Sequence, residues 1–313
     1  MPQLSIARLF EDNWEKLKLT WAASREGGAK DLNSEIIKGS TKGLIGHLNF
    51  IHPNWIQVLG TSEVEYLERM DEDECRITLT EIATRDLACF IIAGTDRVPP
   101  VLAGVADEAG TALFVSTVPS VELMWMLRPY LARALADSTT AHGVFLDVLG
   151  MGVLITGASG VGKSELALEL ISRGSGLIAD DVVEFYRIGP ETVEGRCPAL
   201  LRDFLEVRGL GVLNIRTIFG EAALRPRKNL KLIVRLERPG AELAPLERLP
   251  LRPGEEDVMG VPIVKVTIPV AAGRNLAVLT EAAVRNYVLQ LRGVDSTTEF
   301  ISRQAEQMQE RHD

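Results

Sequence analysis

Residues 157–164 read GASGVGKS, and no other stretch of the chain limits its fold so sharply. The spacing Gly-x4-Gly-Lys-Ser sits between VLIT (153–156), a strand by its apolar and β-branched content, and ELALELISRG, a helix closed by a C-terminal glycine. Glycines let successive backbone N–H groups turn inward and approach phosphate oxygens, and the helix that begins near Gly162 brings about half a positive charge to the same place. Lys163 adds a point charge for the outer phosphates, and the Ser164 hydroxyl can ligate Mg²⁺. Gly157, Ala158, Ser159, Gly160, Val161, Gly162, Lys163 and Ser164 are therefore the expected nucleotide-binding residues, with the phosphates of a nucleotide and Mg²⁺ the expected ligands. The plain alternative is a glycine-rich turn with no ligand, which the flanking strand and helix argue against. Strand, loop and helix in this order call for an α/β fold with a layered sheet.

The next apolar strand, GLIADD (176–181), ends in two carboxylates. Strand, loop, helix and strand in succession put two parallel strands on one edge of a sheet, where open α/β proteins bind ligands. One of Asp180 and Asp181 can hold Mg²⁺ through water and the other can accept a proton from an attacking hydroxyl; alone, the pair would read as a cap on the next turn. In FLEVRGLGVLNI (204–215), Glu206 and Arg208 flank a valine and would share one face of a strand, as functional groups or as a salt-bridged edge. His142, Arg248 and Arg274 are single residues that local chemistry leaves open between surface and site.

The first 132 residues alternate strand and helix signals and predict a small α/β unit. WIQVLG, LACFIIAG and ALFVST read as strands. Ser62 with Glu65 reads as a capping box opening a helix, EVEYLERMDEDE as a solvated helix end, and VELMWMLRPYLARALA as an amphipathic helix that Pro129 kinks or interrupts. His47 and His52 read as structural. Polar ADSTTAHG (136–143) is the best candidate boundary, so the expected domains are 1–132 and 133–313. A net charge of -9 argues against nucleic-acid binding. Cys75, Cys89 and Cys197 are scattered without ligand spacing, which predicts neither a disulfide nor a zinc site. No apolar run is long enough to span a bilayer, and the N-terminus carries acids where a secretory signal needs apolar residues, so the expected partners exclude membranes and the expected location is the cytoplasm.

Taken together, HGVFLDVLGMGVLITGASGVGKSELALELISRG, LIADD, FLEVRGLGVLNIRTIFG and TIPVAAGRNLAVLTEAAVRNY resemble the HPr kinase/phosphorylase family. The resemblance runs through nearly the whole second half in order. It implies a small N-terminal α/β domain and a C-terminal P-loop kinase domain similar to phosphoenolpyruvate carboxykinase, assembled as a homohexamer. The implied activity is Mg-ATP-dependent phosphorylation of a regulatory serine on the phosphocarrier protein HPr or a homologue. The implied reverse is removal of that phosphate by inorganic phosphate, giving pyrophosphate. On the family pattern His142, Lys163, Asp181 and Arg248 match active-site positions, and Ser164 and Glu206 match the Mg²⁺ positions. Asp181 would be the base in one direction and the acid in the other, while Asp180, Arg208 and Arg274 support the site. Residues 269–274 match a segment used for dephosphorylation. The C-terminal helix, with Phe300, Ile301, Ala305 and Met308 on one face, would lie near the protein substrate and a neighbouring subunit.

Two stretches depart from the pattern. Ala158 stands where many members carry Asp, and Ala271 and Ala272 replace a frequent Arg-Pro, which removes one candidate phosphate contact and weakens the case for the reverse reaction. The rival readings are a P-loop kinase or carboxykinase acting on a small molecule, and a nucleotide-sensing module without turnover. The former needs a metabolite pocket beside Asp181, and the latter needs no base.

Overall fold

The structure is a computed structural model describing residues 2–238 and 254–310. It divides into two compact units, residues 1–137 and 138–313.

The first unit contains β1 (Gln3–Ser5), α1 (Ile6–Asn13), β2 (Leu19–Ala23), β3 (Asp31–Asn33), α2 (Ser34–Lys38), β4 (Ile45–His47), β5 (Ile56–Leu59), α3 (Thr61–Arg69), α4 (Glu72–Thr84), β6 (Cys89–Ala93), α5 (Pro100–Glu108), β7 (Ala112–Ser116) and α6 (Ser120–Ala134). Its five-stranded sheet has the order β2-β7-β6-β5-β4, parallel except for β2 at one edge. The central strands β5, β6 and β7 are buried along their whole length, as expected where both faces are covered. Alternate residues pack on opposite faces: Ile91 and Phe114 lie in one core with α6, Phe90 and Ile92 in the other with α3, α4 and α5.

Two local expectations fail here and a third is narrowed, each for a physical reason. The helix after β5 is capped two residues before Ser62: Gly60 is its N-cap, and Glu63, not Glu65, turns back so that its Oε2 accepts from the Gly60 N–H at 2.9 Å. The acid-rich stretch is not one helix end. The first helix ends at Arg69 with Met70 as its C-cap, and Asp71 caps α4, its Oδ1 accepting from the N–H groups of Asp73 (3.1 Å) and Glu74 (3.2 Å), while three acids in the following turn face the positive helix end. Pro129 does not interrupt α6, which runs from Ser120 to Ala134. Pro129 lies on the exposed side of the helix one turn beyond Trp125, so the carbonyl it leaves without an N–H partner is open to water.

In the second unit the polar stretch read as a boundary is itself extended, as β8 (Asp137–His142). There follow β9 (Val144–Val148), β10 (Met151–Gly157), α7 (Lys163–Ser172), β11 (Gly176–Ala179), β12 (Val182–Gly189), β13 (Thr192–Arg196), β14 (Phe204–Val207), β15 (Gly211–Asn214), α8 (Ile215–Phe219), β16 (Arg227–Glu237), β17 (Gly254–Val258), β18 (Val261–Pro269), α9 (Leu276–Leu291) and α10 (Ser296–Glu310). Among the described residues nine strands form the main sheet, along the path β11-β9-β10-β16-β13-β12-β8 with β18 beside β16 and β17 beyond it. Because β9 is antiparallel to both β10 and β11, those two run in one direction and end on the same edge, although they are not neighbours.

Alternation along β9 and β10 sends Val144, Leu146, Val153 and Ile155 to a core shared with α7 and α9. Phe145 and Leu154 face a second core built from β12, β13 and β16. Helices therefore cover one face and strands the other, which explains why these strands read as continuous apolar runs. Arg173 at the end of α7 makes a two-pronged ion pair with Glu281 of α9, 2.8 and 3.2 Å, tying the loop-bearing helix to its neighbour. The side chains of Ala305 and Met308, proposed above to share a face of α10, lie outside the described residues.

Candidate active site

The strand-to-helix junction at the C-terminal end of β10 builds the site. Gly157 has φ +143°, and a Cβ there would stand 2.6 Å from the Leu236 carbonyl oxygen of the adjacent parallel strand. Only glycine lets the loop leave the sheet so close to β16. Gly160 and Gly162 also have positive φ, +70° and +105°, and Gly162 caps α7 with no side chain closing the helix end. Unfilled donors and the positive end of α7 thus face outward together, the requirement for holding phosphate. Lys163 Nζ donates to the loop's own carbonyls, Gly157 O (3.1 Å) and Ala158 O (3.2 Å).

An open cleft of about 240 Å³ runs from this loop to the end of β11, lined by Ser159, Gly160, Gly162, Lys163, Ser164, Glu165, Asp180, Asp181, Glu206 and Arg208. Its two aspartates are held differently. Asp180 is buried, and its Oδ2 accepts from the Glu206 backbone N–H at 2.8 Å, so it fastens the β14–β15 hairpin to the end of β11. Burial pushes its carboxyl above the usual carboxylate range, against the pull of the Glu206 and Asp181 N–H groups. Asp181 instead has φ +63°, a left-handed backbone uncommon for a non-glycine residue, and its side chain is 80% exposed. Its carbonyl accepts from Gly143 N at 3.0 Å, and its Oδ1 lies 3.9 Å from His142 Nδ1. The chain is thus turned so that the second carboxylate projects into solvent at the mouth of the cleft, with the histidine at the end of β8 beside it.

Glu206 is on β14 and Arg208 in the turn after it, where Gly209 and Gly211 adopt positive φ (+86° and +82°). The arginine lies over the phosphate loop: a Cβ on Gly160 would be 3.2 Å from Arg208 Nη1. The same hairpin and α8 expose the apolar side chains of Phe204, Leu210, Val212, Ile218 and Phe219.

Of the residues expected at the site, the loop, Lys163, Ser164, Asp180, Asp181, Glu206 and Arg208 come together in one cleft, and His142 flanks it. Arg274 is not among the lining residues; its Nη1 donates to Pro269 O at 3.3 Å within its own loop. Arg248 lies outside the described residues. Two neighbours of the loop were not singled out from sequence. Glu165 follows Ser164 in the first turn of α7 and lines the cleft. Arg238, just after β16, donates from Nη2 to Gly160 O at 2.6 Å. The signal for Arg238 is weak: the apolar strand LKLIVRLE is plain in the sequence, but its pairing with β10 is not.

Among the described residues no three His, Cys, Asp or Glu side chains form a preformed metal cage. The cleft does offer the donors Mg²⁺ prefers, a hydroxyl (Ser164) and carboxylates (Glu206, Asp180, Asp181), and a Mg²⁺ site of this type is completed by phosphate oxygens and water. Three acids facing a polyphosphate would repel it, so the chemistry of the donor set fits a divalent cation.

Comparisons with known proteins agree on one family. The HPr Serine kinase N terminus matches residues 4–131 and the HPr Serine kinase C-terminal domain matches residues 133–304. The chain is similar to the HPr kinase/phosphorylase of Nitrosomonas europaea, 59% identical over 98% of this chain and 96% of that protein. It is also similar to the HPr kinase/phosphorylase of Chromobacterium violaceum, 54% identical over 97% and 95%. Among solved structures it matches the Hpr(Ser) kinase/phosphatase from Coxiella burnetii, at 36% identity and a TM-score of 0.47, over 52% of this chain and 98% of that one. With both family domains in order and relatives this similar along its whole length, the chain belongs to the HPr kinase/phosphorylase family.

Proposed function

We propose that the protein transfers the γ-phosphoryl group of ATP to a serine of the phosphocarrier protein HPr, or a homologue of it, and removes the same group with inorganic phosphate to release pyrophosphate. The observation that carries this reading is the exposed carboxylate of Asp181 on a left-handed backbone, at the mouth of an open phosphate cleft to which Glu206 and Arg208 are brought by a hairpin with exposed apolar side chains. A metabolite kinase would enclose its acceptor. An open mouth with Phe204, Leu210 and Val212 beside it suits a protein surface.

In the forward direction the serine Oγ attacks the γ-phosphorus, the bond to the β–γ bridging oxygen breaks, and the serine proton passes to Asp181. In the reverse direction an oxygen of inorganic phosphate attacks the phosphoserine phosphorus, the serine oxygen leaves, and Asp181 returns the proton. Phosphoryl transfer is mainly positioning and charge stabilisation, so one cleft serves both directions. The loop N–H groups and Lys163 hold the phosphates, Ser164 and Glu206 hold Mg²⁺ with Asp180 supporting them, and Arg208 covers the loop. Bound Mg²⁺ offsets the charge on the phosphate oxygens. His142, Lys163 and Arg274 are proposed to supply the positive charge that holds inorganic phosphate in the reverse reaction, and Arg248 is proposed as a further active-site residue. The role of Arg248 rests on the family resemblance alone.

The free cysteines suit the reducing cytoplasm, and no helix among the described residues is long and apolar enough to cross a membrane. We further propose a homohexamer in which α10 meets a neighbouring subunit; Phe300, 47% exposed, supports an interface there.

The test is incubation with Mg-ATP and HPr-like proteins from the same cell, followed by inorganic phosphate. The expected result is a phosphoserine that disappears on phosphate addition with pyrophosphate release. Label on histidine, or free phosphate as the only product, overturns the proposal.

A further inference from the structure

Two helices of the chain begin with the same pattern, Gly-x-Ser-Glu: GTSE (60–63) opens α3 and GKSE (162–165) opens α7. In both, glycine is the N-cap and glutamate the third helical residue, the place from which a carboxylate turns back on the N-cap N–H. Glu63 does so at 2.9 Å, on a Gly60 backbone with φ -80° and ψ -176°. Gly162 instead has φ +105° and ψ 23°, and on that left-handed cap no side chain closes the helix end. Glu165 is left exposed and lines the catalytic cleft beside Ser164.

Four carboxylates and two cations, Lys163 and Arg208, line that cleft. Asp180 holds the Glu206 N–H, Asp181 stands beside His142, and Glu206 is a proposed metal ligand. Among the described residues Glu165 makes no hydrogen bond or ion pair. Its charge opposes the same anion that the positive end of α7 attracts. That opposition falls away when the anion arrives with a divalent cation. Mg²⁺ keeps several of its waters, and a carboxylate next to the Ser164 hydroxyl can accept from water so polarised. From this arrangement we infer that Glu165 is a specificity-determining residue, which makes the phosphate loop select the metal-complexed donor over free nucleotide, pyrophosphate or inorganic phosphate. The inference rests on the proposed Mg-ATP chemistry of the cleft and assigns that selection to one side chain. A role confined to the helix dipole would stabilise α7 and leave the choice of ligand untouched.

The test is calorimetric titration of the full chain with ATP, once with excess Mg²⁺ and once with a chelator. The parent should bind Mg-ATP more tightly than free ATP. In Glu165→Gln the ratio of the two dissociation constants should fall about tenfold, chiefly because free ATP binds better. Glu165→Asp keeps the charge and should hold the ratio within about threefold of the parent. High salt should narrow the gap between parent and Glu165→Gln, because screening acts on a charge in an open cleft. A ratio unchanged in Glu165→Gln, or one that Glu165→Asp lowers as far as Glu165→Gln does, overturns the inference. Equal weakening of both forms with a lower melting temperature means that Glu165 only supports α7, and overturns it too. So does a parent chain that binds both forms equally, or neither. The acceptor is a separate matter: selection for Mg-ATP that Glu165→Gln removes, without any serine labelling, discards the proposed function and leaves the role of Glu165 standing.

Discussion

Each unit of the molecule contains a parallel strand that turns through glycine into a helix, and the two turns are put to opposite uses. In the first unit β5 passes through Gly60 straight into α3, and Glu63 folds back on the Gly60 N–H. His47 Nδ1 lies 3.3 Å from the other carboxylate oxygen. The positive helix end is occupied by the chain's own anion. In the second unit β10 passes through a five-residue loop, Ala158 to Gly162, and no side chain caps α7. An uncapped helix end is less stable, and that deficit is what an incoming phosphate relieves. Identical layer physics thus gives a closed junction in one unit and a receptive one in the other.

The sharpest way to break this comparison is to remove the group that turns a receptive junction into a catalytic one. Asp181→Asn should lower both the kinase and the phosphate-dependent reverse rate by about 10²–10⁴-fold, as expected for loss of a general acid–base group. With its side chain 80% exposed, the substitution should leave the melting temperature and ATP affinity close to the parent values. Radiolabel transfer and a thermal melt on the same preparation check both. A loss of less than tenfold in either direction would assign the proton transfer elsewhere.

Glycine replacements sharpen the contrast at the next level. A methyl group on Gly157 meets a backbone carbonyl at 2.6 Å and needs φ +143°, so neither the side chain nor the backbone can comply without moving β16 or the loop. Gly157→Ala should cost about 1–3 kcal/mol of stability and abolish ATP binding measurable by calorimetry. Gly60 has φ -80°, ordinary for any residue, and a methyl group there meets only the tips of Glu63 (3.0 Å) and Ser120 (3.1 Å). Gly60→Ala should cost less than about 1 kcal/mol and leave kinase rates unchanged.

What the sequence disclosed follows the same division between local and distant causes. GASGVGKS and LIADD are legible because each holds its own geometry: glycines, a helix start, and an apolar strand ending in acids. That Glu206 and Arg208 share one side was legible from their spacing. That the hairpin carrying them reaches the loop was not, because it depends on Asp180, 26 residues earlier, holding the Glu206 N–H. Arg238 was missed because its contact with Gly160 spans 78 residues and exists only once β16 pairs with β10. In the first unit the existence of α3 was plain and its N-cap was misplaced by two residues. Gly60 with Glu63 and Ser62 with Glu65 offer two capping spacings, and only the end of β5 at Leu59 decides between them. The break before α4 escaped notice because a run of acids looks like solvated helix until one of them turns back as a cap.

The smallest predicted effect tests the closed junction itself. Glu63→Ala removes the carboxylate that occupies the start of α3 and leaves the Gly60 N–H and the helix end to water. Loss of such a cap costs about 1 kcal/mol, so a modest fall in melting temperature is expected with both catalytic directions unchanged. Glu63→Gln should recover part of the loss, since an amide oxygen still accepts from Gly60 but no longer complements the helix dipole. High salt should then narrow the gap between parent and Gln variant, because screening acts on the charge and not on the hydrogen bond. If Glu63→Ala were as stable as the parent, the junction would be held by β5 and its core alone, and self-capping would not be what separates it from the phosphate loop.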